Sequence, residues 1–181
     1  MFIETESTPN PATLKFLPGR AVMASGTANF PDAASAARSP LATRLFGVAG
    51  VTGVFLGADF VTVAKDDGSE WFQLKPLVLG AIMTHFTGGE PVVLDAPKTE
   101  APAEEAGSVV AQIKELLDTR VRPAVAQDGG DIIFDRYADG VVYLHMQGSC
   151  SGCPSSTATL KAGIENMLRH YIPEIQEVRP V

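Results

Sequence analysis

The sequence predicts an α+β protein in which two small mixed domains, residues 1–95 and 108–181, are joined by a flexible linker at residues 96–107. The linker contains Pro, Ala, Glu and Lys and no large apolar residue, so it buries too little surface to order itself. Each flanking segment has the length and apolar content of a small domain. Each also carries both strand-type and helix-type apolar patterns, which favours the mixed class.

In the N-terminal domain, strand and helix signals follow one another. Apolar runs bounded by Pro and Gly predict strands at residues 2–6, 12–17, 51–56 and 60–65, the last two as a hairpin. Ser39 and Pro40 predict the cap and first turn of a helix. Helical spacing predicts a second helix from Leu74 to Phe86, with Leu77 on its buried stripe. We expect Trp71 and Phe72 to belong to the core.

The C-terminal domain is predicted as helix, hairpin and helix. Ser108 caps an amphipathic helix that Pro123 ends or kinks. A tight turn at residues 128–131 leads into a hairpin, with strands at 132–137 and 141–147 around Asp139-Gly140. The next helix ends before Pro173, and residues 175–179 predict a last strand.

Composition and charge exclude several classes of function. The chain has 181 residues, of which 45% are hydrophobic, and its net charge of −7 argues against nucleic acid as a partner. It contains no apolar run long enough to span a membrane. Residues 1–6 fit neither a signal peptide nor an Arg-rich transit peptide, so the sequence by itself predicts a cytoplasmic protein without a membrane partner.

The two cysteines, Cys150 and Cys153, lie in a glycine-flanked loop late in the C-terminal domain. Because Pro154 suits the first turn of a helix, Cys153 is a candidate cap, and the helix N-terminus is expected to favour thiolates in this loop. Three chemistries use this spacing: a redox dithiol, half of a zinc site, and ligation of an iron–sulfur cluster.

Counting ligands narrows these alternatives without deciding between them. Zinc and iron–sulfur sites usually have four protein ligands, and one chain supplies two thiols. His145 lies on a strand, and His85 and His170 lie in helices without a second ligand nearby, so all three are interpreted as structural. A complete metal site therefore needs two chains around a two-fold axis. A redox dithiol needs no second chain and stays open, although thioredoxin-type motifs normally lie early in a longer alternating domain.

Four stretches resemble the Nfu/NifU family of iron–sulfur scaffold and carrier proteins. Three lie in the C-terminal domain: Val121-Arg122-Pro123-Ala124, Asp128-Gly129-Gly130-Asp131, and the run from Gly148 to Ser156 with both cysteines. The fourth, Thr8-Pro9-Asn10-Pro11-Ala12-Thr13-Leu14-Lys15-Phe16, resembles the family's N-terminal domain, as does the strand at residues 61–63.

The resemblance implies a scaffold or carrier that is not an enzyme. It implies that Cys150 and Cys153 ligate a labile [4Fe–4S] cluster, or a [2Fe–2S] cluster, shared between two copies of the chain. Its implied partners are apo iron–sulfur proteins and upstream cluster-assembly factors, and its location is the mitochondrial matrix if the chain is a processed organellar homologue. The Asp128–Asp131 turn is interpreted as structural, because carboxylates are poor cluster ligands. Two alternatives remain: a thiol–disulfide oxidoreductase that uses Cys150 and Cys153, and an interaction module formed by the N-terminal domain.

Overall fold

The computed structural model describes residues 2–94, 108–151 and 154–181. The chain forms two compact units that divide after Pro97. Both units combine helices with a sheet, so the predicted α+β class is confirmed. The predicted linker at residues 96–107 lies outside the described residues. Among the described residues, no helix has the length and apolarity needed to cross a membrane.

The N-terminal unit is built on an antiparallel five-stranded sheet in the order β1-β2-β5-β4-β3. Its strands are β1 (Glu4–Ser7), β2 (Thr13–Leu17), β3 (Ala28–Phe30), β4 (Val51–Leu56) and β5 (Val61–Lys65). The predicted hairpin is formed by β4 and β5. Strand β3 was not predicted, because three residues carry too little alternation to be recognised.

Two α-helices pack with this sheet: α1 (Pro40–Phe46) and α2 (Trp71–Gly88). The Ser39 side chain caps α1 by accepting a hydrogen bond from the Ala42 amide, as Ser-Pro predicts. Helix α2 starts three residues earlier than its spacing predicts. Its buried stripe holds Leu74, Val78 and Ile82.

Two burial predictions for α2 are wrong. Phe72 is 74% exposed and Leu77 is 57% exposed. The four-residue step between Leu74, Val78 and Ile82 fixes the inward face, and Phe72 and Leu77 fall outside it. Trp71 is partly buried, packs against the core, and donates its indole N–H to the Pro11 carbonyl at 3.2 Å.

The C-terminal unit begins with a helical run in three parts: α3 (Val109–Leu116), a π-helical stretch (Leu117–Val121) and α4 (Arg122–Gln127). Ser108 caps α3, as predicted, by accepting from the Ala111 amide. Pro123 does not end the run. The wider π-helical turn that precedes it accommodates a ring that would otherwise clash with the carbonyl four residues earlier.

Strand β7 is the centre of a three-stranded sheet. Strands β6 (Gly130–Ala138) and β7 (Val141–Gly148) form the predicted antiparallel hairpin, and β8 (Glu177–Pro180) pairs with β7 in parallel. Asp139 and Gly140 both have positive φ, as the tightest hairpin turns require. Helix α5 (Pro154–Tyr171) connects β7 to β8. The core between helices and sheet includes Ile113, Leu144 and Leu168.

Candidate metal-cluster loop

The cysteine loop connects the end of β7 to the start of α5. Gly148 turns the chain there with a φ of 64°, a left-handed conformation that favours glycine. The Thr157 hydroxyl, in the first turns of α5, donates to the Cys150 carbonyl at 3.1 Å. Cys150 is therefore held from the helix side of the loop. Cys153 lies outside the described residues, so its predicted role as a helix cap and ligand stays a prediction.

Cys150 is buried and belongs to the core of the C-terminal unit, with 6% of its surface exposed. Its sulfur lies against Gly130, the first residue of β6. A Cβ at position 130 would be 2.5 Å from Cys150 Sγ, 2.7 Å from the Gln147 carbonyl oxygen and 3.0 Å from the Cys150 amide nitrogen. The absence of a side chain at residue 130 therefore creates the space that the sulfur occupies.

The Asp128–Asp131 turn is attached directly to the cysteine loop. The Ser149 hydroxyl donates to the Asp128 carbonyl. The Ser149 amide donates to the Gly129 carbonyl at 3.3 Å. Gly129 has a φ of 79°, which lets the chain reverse between α4 and β6. These two hydrogen bonds support the interpretation of the turn as a structural element, and they join it to the residue that precedes Cys150.

An ion pair between the half-buried Arg122 and the buried Asp131 anchors the same turn to the helical run. Arg122 donates from Nε and Nη2 to the two carboxylate oxygens of Asp131, each at 2.9 Å. The Asp131 side chain is 3% exposed, and its Oδ1 also accepts from the Ile132 amide at 2.8 Å. The hydrogen bond to Asp131 raises the pKa of Arg122, so the guanidinium stays charged. A second contact runs from Nη1 to Asp118 at 3.0 Å.

Sequence reasoning missed this pair. Arg122 and Asp131 stand nine residues apart, and that separation matches neither the helical nor the strand spacing that brings side chains together. The sequence offers only an indirect signal for the pair. Arg122 and Asp131 are opposite in charge, and they occur in two neighbouring segments that resemble the Nfu/NifU family.

The expectation of a thiolate at Cys150 is wrong for the loop as described. Burial, with a smaller contribution from the nearby Asp128 carboxylate, raises the pKa of Cys150 to about 11. Its sulfur packs in the core, where the charged form is poorly solvated. A metal that binds the sulfur would displace the proton, since ligands lose their protons on coordination.

The three histidines lie in different surroundings. His85 is fully buried in the N-terminal unit. His145 is exposed, and its Nε2 lies 3.3 Å from an Asp135 carboxylate oxygen. His170 stacks edge-on against Tyr171. Within residues 2–94, 108–151 and 157–181, no three His, Cys, Asp or Glu side chains gather closely enough to hold a metal ion.

Two family models match the chain. One, described as the N-terminal domain of scaffold protein Nfu/NifU, matches residues 3–89. The other, described as a NifU-like domain, matches residues 113–179. Together they cover most of both compact units.

Curated relatives match along the full chain. The human NFU1 iron-sulfur cluster scaffold homolog, mitochondrial, is 52% identical over 183 residues, which span 100% of this chain and 72% of the relative. NifU-like protein 4, mitochondrial, of Arabidopsis thaliana is 52% identical over 98% of this chain and 65% of its own length. The solution NMR structure of a NifU-like protein from Saccharomyces cerevisiae is 28% identical over 53% of this chain and 87% of that chain, with a TM-score of 0.43.

Fold and site together define an α+β protein of two compact units whose second unit presents a cysteine loop between a strand and a helix. The two matching family models and the relatives that match along nearly all of this chain then settle the family. The chain belongs to the Nfu/NifU family of iron–sulfur scaffold proteins.

Proposed function

We propose that this protein is a scaffold and carrier that holds a labile [4Fe–4S] cluster between two copies of the chain and passes it to apo iron–sulfur proteins. Cys150 and Cys153 of each copy are the ligands. The cluster is cargo, and the protein is not an enzyme. Family membership supports the scaffold role, since the human relative is named as an iron-sulfur cluster scaffold homolog.

The supply of ligands is the observation on which the proposal depends. The chain has two cysteines in all, and within the described residues no three His, Cys, Asp or Glu side chains gather closely enough to hold a metal ion. Cluster iron in proteins is bound chiefly by thiolates, four for each [2Fe–2S] or [4Fe–4S] cluster. Two chains related by a two-fold axis supply four thiolates, which is why the cluster is shared.

Transfer follows from the same small set of ligands. The thiolates of an apo-protein replace those of the carrier on the cluster iron. Only the four bonds between iron and the carrier's cysteine sulfurs have to break. Upstream assembly factors supply the cluster, and apo iron–sulfur proteins take it. The relatives' names favour a mitochondrial location over the cytoplasmic one that the first residues predict.

The burial of Cys150 favours the carrier over a thiol–disulfide oxidoreductase. A dithiol enzyme attacks disulfides with an accessible thiolate at neutral pH. Cys150 is 6% exposed, and burial raises the pKa of its thiol. A metal ligand does not meet this difficulty, because coordination itself removes the proton.

Anaerobic reconstitution with iron and sulfide tests the proposal. We expect a coloured protein with one [4Fe–4S] cluster per two chains by Mössbauer spectroscopy and iron analysis, and a dimer by size-exclusion mass. Cys150→Ser and Cys153→Ser should each prevent stable uptake. Ser7→Ala, which changes an exposed side chain in strand β1 of the other unit, should leave uptake unchanged. Full uptake by either Cys→Ser variant, or by a single protomer, would contradict the proposal.

A further inference from the structure

We infer that Arg122 is a positioning residue for the Cys150 thiol, acting through Asp131 and the glycine turn. That the sulfur binds a cluster rests on the proposed function. That Arg122 holds the sulfur in place rests on geometry alone. Arg122 contacts Asp118 and Asp131, so its effect on the Cys150 sulfur is indirect. Its effect passes along a continuous set of contacts from the helical run to the sulfur.

The first contact in this set is the ion pair. Arg122 meets Asp131 with two parallel hydrogen bonds of 2.9 Å, the geometry that gives arginine–carboxylate pairs both strength and direction. Asp131 is nearly fully buried, at 3% side-chain exposure. A buried carboxylate with two donors from one guanidinium has very little freedom to shift.

The second contact is the step from Asp131 to the sulfur. Gly130 directly precedes Asp131, and both residues pair with β7, opposite Gly148 and Gln147. Cys150 Sγ occupies the place that a side chain at residue 130 would need. A small displacement of this backbone therefore closes or opens the space around the sulfur.

The π-helical stretch determines where Arg122 points. It ends at Val121, whose side chain is buried in the core, so that the next residue lies at the rim of the core beside β6. Arg122 then bridges Asp118 on its own helical run and Asp131 on the sheet. Short π-helical stretches are often found where a helix must present a side chain for function.

Two measurements on Arg122→Gln test the role, with Arg136→Gln as the matched control. Arg136 also pairs with an aspartate, Asp135, at 3.1 Å, but it is 61% exposed. In the reconstituted protein, we expect Arg122→Gln to release the cluster to a chelator about tenfold faster, as for other residues that orient metal ligands, and the control to release it at the wild-type rate.

The second measurement needs no cluster. With Cys153→Ser in both backgrounds, we expect Arg122→Gln to raise the rate of Cys150 alkylation by iodoacetamide by about tenfold. Asp131→Asn should raise it similarly, and the Arg122→Gln, Asp131→Asn double variant should be no faster than either single variant, because the two residues act as one unit. The alkylation rate can be measured even if the wild-type chain takes up no cluster. Failure to take up a cluster would reject the proposed function but not this inference.

A folded Arg122→Gln variant that alkylates and releases cluster at wild-type rates would overturn the inference. So would additive effects of Arg122→Gln and Asp131→Asn. If Arg122→Gln does not fold, Arg122→Lys replaces it, since lysine keeps the charge but not the paired hydrogen bonds. If Cys150 of the Arg122→Lys variant is alkylated at the wild-type rate, the inference is overturned in the same way.

Discussion

The two units of this chain differ in where they bury their polar groups. Among the described residues, the buried polar side chains of the N-terminal unit are spread over its strands, loops and helices, at Asn10, Thr13, Lys15, Ser39, Thr62 and His85. In the C-terminal unit they are Asp131 and Ser149: Ser149 directly precedes Cys150, and Asp131 follows Gly130, against which the Cys150 sulfur lies. Buried polar groups are costly unless paired, so their position close to Cys150 marks this part of the C-terminal unit as one with demands beyond folding.

The largest effect is expected from a side chain at residue 130. Gly130→Ala would place a methyl group 2.5 Å from the Cys150 sulfur and 2.7 Å from the Gln147 carbonyl oxygen. We expect a loss of up to about 3 kcal/mol in the free energy of unfolding, since overpacking forces backbone shifts. Cluster uptake should be lost as well. Urea denaturation and iron analysis of the reconstituted protein measure the two effects.

Gly163→Ala is the control for this prediction. Gly163 lies within α5, and a Cβ there meets nothing within 4 Å. The substitution should stabilise the protein by about 0.5–1 kcal/mol, because alanine favours a helix interior over glycine. Equal effects of Gly130→Ala and Gly163→Ala would mean that the packing of the sulfur against Gly130 is unimportant.

Alkali should act on the C-terminal unit through Cys150. The folded protein holds the thiol proton more tightly, with a pKa of about 11 against an ordinary value of 9.0. Stability from this group is therefore complete below about pH 9 and is lost as the pH rises through 11, by up to about 3 kcal/mol. Unfolding curves at pH 8 and pH 10.5 should differ more for wild type than for Cys150→Ala. An equal difference in wild type and in Cys150→Ala would contradict this account.

Acid should act on the N-terminal unit through His85. Burial lowers the pKa of His85, although Glu90, with an oxygen 3.8 Å from Nδ1, partly opposes the shift. The unfolded chain then binds the proton more readily, so stability is present above about pH 6.5 and falls below it, by at most about 1.4 kcal/mol per pH unit. His85→Gln should flatten the pH dependence of unfolding between pH 7 and 5. An unchanged slope in His85→Gln would contradict this account.

Two buried serines allow a direct comparison of the units. Ser39 caps α1 and donates to the Val92 carbonyl at 2.5 Å, whereas Ser149 donates to the Asp128 carbonyl beside Cys150. Each Ser→Ala change should cost about 1–2 kcal/mol in unfolding free energy. Ser149→Ala should also shorten the lifetime of the bound cluster, and Ser39→Ala should not. Chelator-driven cluster release measures this, and an equal lifetime in both variants would remove the distinction between the units.

The smallest effect is expected at His145. Its contact with Asp135 lies at the surface, where ion pairs contribute little. His145→Ala should change the unfolding free energy by less than about 0.5 kcal/mol and leave the iron content of the reconstituted protein unchanged. Loss of iron in this variant would make His145 a ligand and would reduce the number of thiolates that the cluster requires.

Local signals predicted most of the elements. The Ser39-Pro40 and Ser108 helix starts and the Asp139-Gly140 hairpin turn are as expected, because capping and turn chemistry depend on a few neighbouring residues. Errors occurred where the outcome depends on distant packing. Phe72 faces outward because its neighbours Leu74 and Val78 fix the rotation of α2 against the core.

The amino-acid sequence alone determined the mixed fold class and the presence of two thiols per chain, since both follow from composition, spacing and local chemistry. The tertiary structure decided how Cys150 is held: its burial against Gly130 and the Arg122–Asp131 pair that anchors the turn beneath it. These contacts join a helical run, a sheet and a loop. Their geometry depends on strand register and helix rotation, which only the packed core fixes.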